Sequence, residues 1–386
     1  DESFLPPRAS SLIASPHTRC AMRVSYRPGP HLSSLRFVGG GVRTIGRRTG
    51  NVRSLTGVGM KIDAAVLRTP DGAYAIEQVE LADPGPAQVV VRIVGAGMCH
   101  TDVLPRAGGI VAPPIVTGHE GSGVVEAVGS AVTRVQPGDH VVLSFDSCGQ
   151  CGPCRDGVPA YCETFLFRNL TGRNLDGSTG ITDSNGQPVL GRWFGQSSFA
   201  SHCLATERNV VKVDPSLPLD LLGPLGCGIQ TGAGSVAIAL GVKPGSSIVV
   251  FGAGAVGLAA VMAAKVKGAT TIIAVDLHQH RLDLALELGV THVLDGRATD
   301  LVAQVHAITG GGANYSFDTT GVPAVMQNAL AALRMTGVCG YVGVQVGNLE
   351  LDGLDPHAWV ARLPTARLDL HATLAPAAGS YRTLPF

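Results

Sequence analysis

Residues 246–276, SSIVVFGAGAVGLAAVMAAKVKGATTIIAVD, decide the fold. SSIVVF has the pattern of a buried strand, LAAVMAAKVKG reads as a helix, and TIIAVD supplies a second strand. Between the first two lies Gly252-Ala253-Gly254-Ala255-Val256-Gly257. A G-x-G-x-x-G run is weak alone, but a strand before it and a helix after it make it a dinucleotide-binding βαβ unit of Rossmann type. The first glycine makes the tight turn, the second admits a pyrophosphate to the helix N-terminus, and the third lets helix and strand pack closely. Asp276 ends the second strand 19 residues after the last glycine. There a carboxylate accepts hydrogen bonds from both adenosine ribose hydroxyls and repels a 2′-phosphate, which predicts NAD rather than NADP. The plain alternative is a surface acid closing a strand. THVLD, NYSFDTTG and VCGYVGV, separated by helical segments, extend a doubly wound parallel sheet.

A second signal lies upstream. Cys148, Cys151, Cys154 and Cys162 form C-x2-C-x2-C-x7-C, with Gly149, Gly152 and Pro153 supplying turns between them. Four thiolates so spaced close a tetrahedral shell around one zinc ion, a structural lobe. Unpaired thiols are common singly in cores but seldom cluster in this way.

The 386 residues suffice for two domains, and the mean hydropathy of +0.26 fits a compact protein. Twenty-nine basic residues balance twenty-nine acidic ones, so no global charge draws the chain to a polyanion or an anionic membrane, and no nucleic-acid partner is expected. No apolar run is long enough to span a bilayer, and the nine cysteines look like metal ligands and scattered singles, which fits a reducing, cytoplasmic compartment. Residues 1–59 hold nine arginines, many serines and only Asp1 and Glu2 as acids, with no sustained period of 2 or 3.6. They read as a disordered or mistranslated extension, or as an organelle transit peptide. From Met60 the pattern changes: MKIDAAVLRTP is a strand and turn, and VVVRIVGAGMC a strand running into a loop.

The third signal is dispersed. Cys99 lies in GMCHTD, His119 and Glu120 in GHEGSG, and Cys227 in LGPLGCGIQTG, just before the nucleotide fold. Two thiolates and one imidazole make a three-ligand zinc site whose fourth position stays open to water or substrate. Cys20, Cys203, Cys339, His140 and His202 carry no such pattern and read as ordinary residues.

With these residues in view, positions 60 to about 350 resemble the zinc-dependent medium-chain alcohol dehydrogenases, through MCHTD, GHEGSGVVEAVG, PGDHVVLSFDSCGQCGPCRDGVPAYC, FGQSSFA, LGCGIQTGAGSV and VFGAGAVG in order. Within that family the chain is most similar to the aryl-alcohol (benzyl alcohol) dehydrogenases. The resemblance implies an α/β protein: a GroES-like, partly opened β-barrel catalytic domain over 60–226, with the zinc lobe at about 146–163, and a Rossmann domain over 227–350. It implies two zinc ions per chain, with Cys99, His119 and Cys227 as catalytic ligands and the four lobe cysteines as structural ones. Glu120 becomes an acid near the metal, Asp102 the carboxylate that orients the histidine, and Thr101 the hydroxyl that bonds the substrate alcohol and passes its proton to the cofactor ribose. Thr231 falls where a threonine packs on the nicotinamide, Arg281 beside the adenosine ribose, and His100 where many relatives place an arginine against the pyrophosphate. Gly252, Gly254, Ala255, Val256, Gly257 and Asp276 complete the cofactor set. The implied reaction oxidises a primary alcohol, aromatic or allylic, to the aldehyde with hydride transfer to NAD. The alternatives are another alcohol, a glutathione adduct of formaldehyde, or an inactive zinc- and nucleotide-binding protein.

Two departures from the family stand out. Leu104 occupies the place where many relatives end the proton relay with a histidine. Residues 351–386 read as a divergent tail in which the family's continuation is not recognisable, and prolines at 356, 364, 376 and 385 interrupt any regular pattern, as in a shifted frame or a truncation. Relatives use that region for a further strand and a subunit interface, so a homo-oligomer is doubtful for this chain.

Overall fold

The structure, a computed structural model, describes residues 59–108 and 110–343, with the backbone of Arg367 and Leu368. Most of the expected N-terminal extension and of the tail therefore lies outside the described residues. The chain lays down β1 (Met60–Leu67), β2 (Tyr74–Leu81), β3 (Gln88–Gly97), β4 (Ile115–Val116), β5 (Glu120–Val128) and β6 (His140–Leu143). The cysteine lobe follows with α1 (Gly152–Arg155) and α2 (Phe165–Leu170), and then come β7 (Gly180–Thr182), β8 (Pro188–Leu190), β9 (His202–Thr206) and β10 (Val210–Lys212). Five strands close into a small barrel in the order β1-β2-β7-β8-β4, and a second sheet runs β10-β6-β5-β3-β9. A bridge between Ala64 and Ala200 joins the two. Alternation along the strands sends Ile62, Ala64 and Val66 of β1 and Val79 and Leu81 of β2 into one core with Val90 and Leu204 of the second sheet.

α3 (Gly228–Gly234) leads from this domain into a parallel sheet made of β11 (Ser247–Phe251), β12 (Thr271–Asp276), β13 (His292–Asp295), β14 (Ala313–Asp318), β15 (Leu333–Tyr341) and β16 (Arg367–Leu368). The helices between them are α4 (Ala255–Val266), α5 (Gln279–Leu288), α6 (Leu301–Thr309) and α7 (Pro323–Ala331). Strand order is β13-β12-β11-β14-β15-β16. β11 shows why its sequence is apolar throughout: Ile248 and Val250 pack into the core on one face of the sheet, Val249 and Phe251 into that on the other. Ala259, Ala260 and Ala264 of α4 are buried, and such small side chains let the helix lie close to the strands. The order of strands reverses between β11 and β14, and the C-terminal ends of these two strands are the ligand position of doubly wound sheets. The edge strand β16 pairs in parallel with Val338 and Cys339, two of the nine residues of β15.

Candidate active site and metal centres

Three elements bring the dispersed residues together. Cys99 ends the loop after β3 and precedes the short 3-10 turn His100–Val103, His119 directly precedes β5, and Cys227 caps α3. The ligand atoms of Cys99, His119 and Cys227 all lie within 4.8 Å of one another, and His119 Nε2 is 3.2 Å from Cys227 Sγ. Asp102 organises the group. Its Oδ1 lies 2.7 Å from His119 Nδ1 and accepts the Gly118 N–H at 3.0 Å, while Oδ2 accepts the Cys99 N–H at 3.2 Å. Because the carboxylate faces Nδ1, that nitrogen carries the proton and Nε2 is free to bind a metal.

The donor set has the chemistry a zinc ion needs. A hydrogen bond from Cys227, aided by His119, pulls the Cys99 thiol down to about 3, while sharing with Cys99, reinforced by burial, pushes Cys227 well up. Burial opposes a charge on His119, yet Asp102 beside it wins and holds the imidazolium up to about 10. Three groups, two of them buried, thus compete for protons, and a divalent cation among them lets both cysteines ionise and the histidine stay neutral.

Glu120 is buried and accepts the Gly228 N–H at 2.9 Å, tying β5 to the start of α3. Desolvation pushes its carboxyl above the usual range, against that N–H. Thr101 is buried with its hydroxyl 3.6 Å from Cys99 Sγ, whereas His100 is exposed. Thr231 is buried one turn into α3, its N–H bonded to the Cys227 carbonyl at 2.8 Å.

In the lobe, the four sulfurs of Cys148, Cys151, Cys154 and Cys162 also lie within 4.8 Å of one another. Backbone N–H groups point at them as they do at thiolates: Gln150 and Cys151 donate to Cys148 Sγ at 3.4 and 3.3 Å, and Cys148 donates to Cys162 Sγ at 3.2 Å. Those two donors pull Cys148 down to about 6, while burial pushes Cys154 up to about 12. Four sulfurs this close together suit one tetrahedral zinc. Cys203 and Cys339 are buried singles whose thiols burial pushes up to about 12 and about 11.

At the nucleotide loop the three glycines differ. Gly252 has a φ of +91°, and a Cβ on Gly257 would fall on the Gly252 carbonyl oxygen, so these two shape the turn. A Cβ on Gly254 meets nothing within 4 Å, leaving open room at the start of α4. The first helix bond runs from Leu258 N–H to the Gly254 carbonyl, so the N–H groups of Ala255, Val256 and Gly257 remain for a ligand. Asp276 Oδ2 accepts the Ala253 N–H at 2.8 Å and Oδ1 the His278 N–H at 2.9 Å, with Arg281 Nη1 3.5 Å from Oδ2. Burial works against ionisation there, but those N–H groups and Arg281 hold the carboxyl below the usual range. α3 and α4 touch where a Cβ on Gly232 would meet the Val256 carbonyl, which brings Thr231 close to the glycine loop.

Sequence reasoning gave no role to the loop Trp193–Ser198. Phe194 stacks on the His119 ring at 4.5 Å, and Trp193 Nε1 donates to Asp102 Oδ1 at 3.1 Å. Gln196 donates to the carbonyls of His119 and Ser144 and accepts the Gly121 N–H. Phe194, Gly195 and Ser197 take positive φ values of 49°, 68° and 55°, a path that neither Phe nor Ser signals. Tyr74 of β2 adds a hydroxyl bonded to the Asp102 carbonyl and to Thr117.

The chain is similar to known proteins over most of its length. The family described as "Alcohol dehydrogenase GroES-like domain" matches residues 85–215, and "Zinc-binding dehydrogenase" matches residues 255–363, past the boundary expected at 350. A geraniol dehydrogenase from Castellaniella defragrans is 50% identical over 283 residues, 73% of this chain and 76% of the relative. The crystal structure of benzyl alcohol dehydrogenase from Acinetobacter calcoaceticus superposes with a TM-score of 0.76 at 41% identity, over 84% of this chain and 86% of that one. An alcohol dehydrogenase zinc-binding domain protein from Burkholderia ambifaria gives 0.77 at 44%, over 83% and 85%. Among the described residues no helix is long and apolar enough to cross a membrane. A barrel domain with two sulfur-rich donor clusters, joined to a parallel sheet with a glycine-turn helix and matched over most of its length by such relatives, belongs to the zinc-dependent medium-chain alcohol dehydrogenases.

Proposed function

We propose that this protein oxidises a primary aromatic or allylic alcohol to its aldehyde with hydride transfer to NAD, holding two zinc ions per chain, one on Cys99, His119 and Cys227 and one on Cys148, Cys151, Cys154 and Cys162. The observation that carries this reading is the three-donor cluster backed by Asp102, with Gly228, next to Cys227, lying against Ala255 and Val256 of the glycine turn. When bound, zinc supplies Lewis acidity that lowers the alcohol's pKa, and nicotinamide accepts the hydride. The chain's own part is orientation and proton handling. Asp102 keeps the His119 proton on Nδ1, Glu120 braces Gly228 next to Cys227, and Thr101 stands at the metal's edge to accept a hydrogen bond from the substrate hydroxyl. With Leu104 in place of a relay histidine, proton release beyond Thr101 goes by another route or directly through water. The names of the geraniol and benzyl alcohol relatives support the substrate class, since both alcohols give conjugated aldehydes. NADH formation should favour benzyl alcohol and geraniol over ethanol by at least about tenfold in kcat/KM, in line with the worth of a few buried methylenes. Equal use of ethanol would remove the substrate class.

Asp276 carries the cofactor choice. A small replacement would also free the Ala253 N–H of the glycine turn and weaken both cofactors, so Asp276→Asn is the cleaner test. It removes the charge, keeps an acceptor and leaves Arg281 available to a 2′-phosphate. The NAD:NADP ratio of kcat/KM should fall by about ten- to a hundredfold, the weight of one or two charge-assisted hydrogen bonds. A native enzyme using both cofactors equally would place Asp276 away from the ribose.

A further inference from the structure

The Trp193 side chain is fully buried, and its indole N–H needs one acceptor. It takes Asp102 Oδ1, the oxygen that already faces His119 Nδ1 and accepts the Gly118 N–H. The other donors to this carboxylate, Gly118 and Cys99, belong to the two ligand-bearing segments themselves, whereas Trp193 reaches it from a loop 91 positions away in sequence. That loop is fixed independently. Its positive φ positions are held by Asn209 Nδ2, which reaches the Gly195 carbonyl at 3.3 Å, by Ser197 Oγ, which accepts the Trp193 N–H at 2.8 Å and donates to the Val116 carbonyl at 2.7 Å, and by Gln196, which donates to the His119 carbonyl at 2.9 Å. Strain of this kind persists only where the surroundings over-determine it, and it gathers at sites that need a fixed geometry.

Resting on the reading of Cys99, His119 and Cys227 as a metal shell, we propose that Trp193 is a positioning residue for that shell: its indole N–H fixes the Asp102 carboxylate, which fixes the His119 ring, and so sets metal affinity at the three-ligand site and not at the four-cysteine lobe. Phe194, stacked on a face of the ring, limits its tilt. Loss of an outer partner of a metal-bound histidine costs about ten- to a hundredfold in affinity.

The test is Trp193→Phe in the full chain, with metal retention read by competition against a chromophoric chelator and by cobalt(II) absorption after exchange. The expected result is an affinity at the three-ligand site about tenfold weaker, a shifted cobalt band, and an unchanged lobe ion. Should Phe disturb packing, incorporation of benzothienylalanine at position 193 keeps the shape and replaces the N–H with sulfur, and the same selective loss is expected. Wild-type affinity and spectrum in that analogue would overturn the proposal, as would equal weakening of both sites. A native protein that binds only the lobe ion would instead overturn the ligand set on which the proposal rests.

Discussion

A Cys227→Ser variant is expected to purify as a folded protein holding one zinc ion instead of two, with turnover lowered about a thousandfold or more. Serine's hydroxyl does not ionise near neutrality, so the shell keeps one thiolate and one imidazole, too few to retain the ion. The Lewis acidity that goes with it supplies several kcal/mol of transition-state stabilisation, and each 1.36 kcal/mol is about tenfold in rate. The fold should survive, because the structural duties of position 227 are carried by its backbone: its N–H bonds to the Pro224 carbonyl and its carbonyl accepts from Thr231. Metal analysis, circular dichroism and NADH formation on one preparation decide the matter. Appreciable turnover in the one-zinc protein would remove Cys227 from the chemistry.

Strands β11 and β12 and the helix between them were legible because a buried parallel strand is apolar at every position and the glycine turn has few rival uses in that context. The lobe was legible for a similar reason, as its ligands are local and thiolate clusters are rare. Cys99, His119 and Cys227 are separated by up to 128 positions, and each alone is ordinary, so no spacing rule joins them and they were united by ligand chemistry together with the resemblance. Trp193 stayed silent, and Phe194 and Gln196 entered only as part of the FGQSSFA resemblance, without a role. A buried tryptophan reads as core from any sequence, and its work depends on which acceptor its one N–H finds, a property of tertiary placement. The bond of Asp276 to the glycine turn was hidden in the same way, since no spacing rule reports the Ala253 N–H.

Cys154→Ser should act on stability before chemistry. Cys148, Cys151 and Cys154 pack against a cluster of Phe145, Phe165, Leu170, Trp193 and Phe194, and the lobe's own regular structure is limited to the four-residue α1, a three-residue 3-10 turn and the six-residue α2. With three thiolates left, the ion is held weakly, and the loss should be on the order of 5 kcal/mol, below the binding energy of structural zinc because part of the lobe relaxes without unfolding. The root of the lobe is anchored without metal. Asp146 accepts hydrogen bonds from Arg168 and Thr206 at 3.0 and 2.7 Å, and its N–H bonds Asn169 Oδ1 at 2.8 Å. Below its melting point the variant should therefore keep near-native turnover and its three-ligand zinc. Its Tm should fall by about 10 °C or more, the scale expected for that loss in a domain of this size. Because Trp193 and Phe194 share the apolar cluster under the lobe and also touch Asp102 and His119, activity should disappear on heating together with the lobe and not after it. An unchanged Tm, or turnover abolished at temperatures where the variant is fully folded, would mean that these four cysteines do chemistry rather than hold a loop.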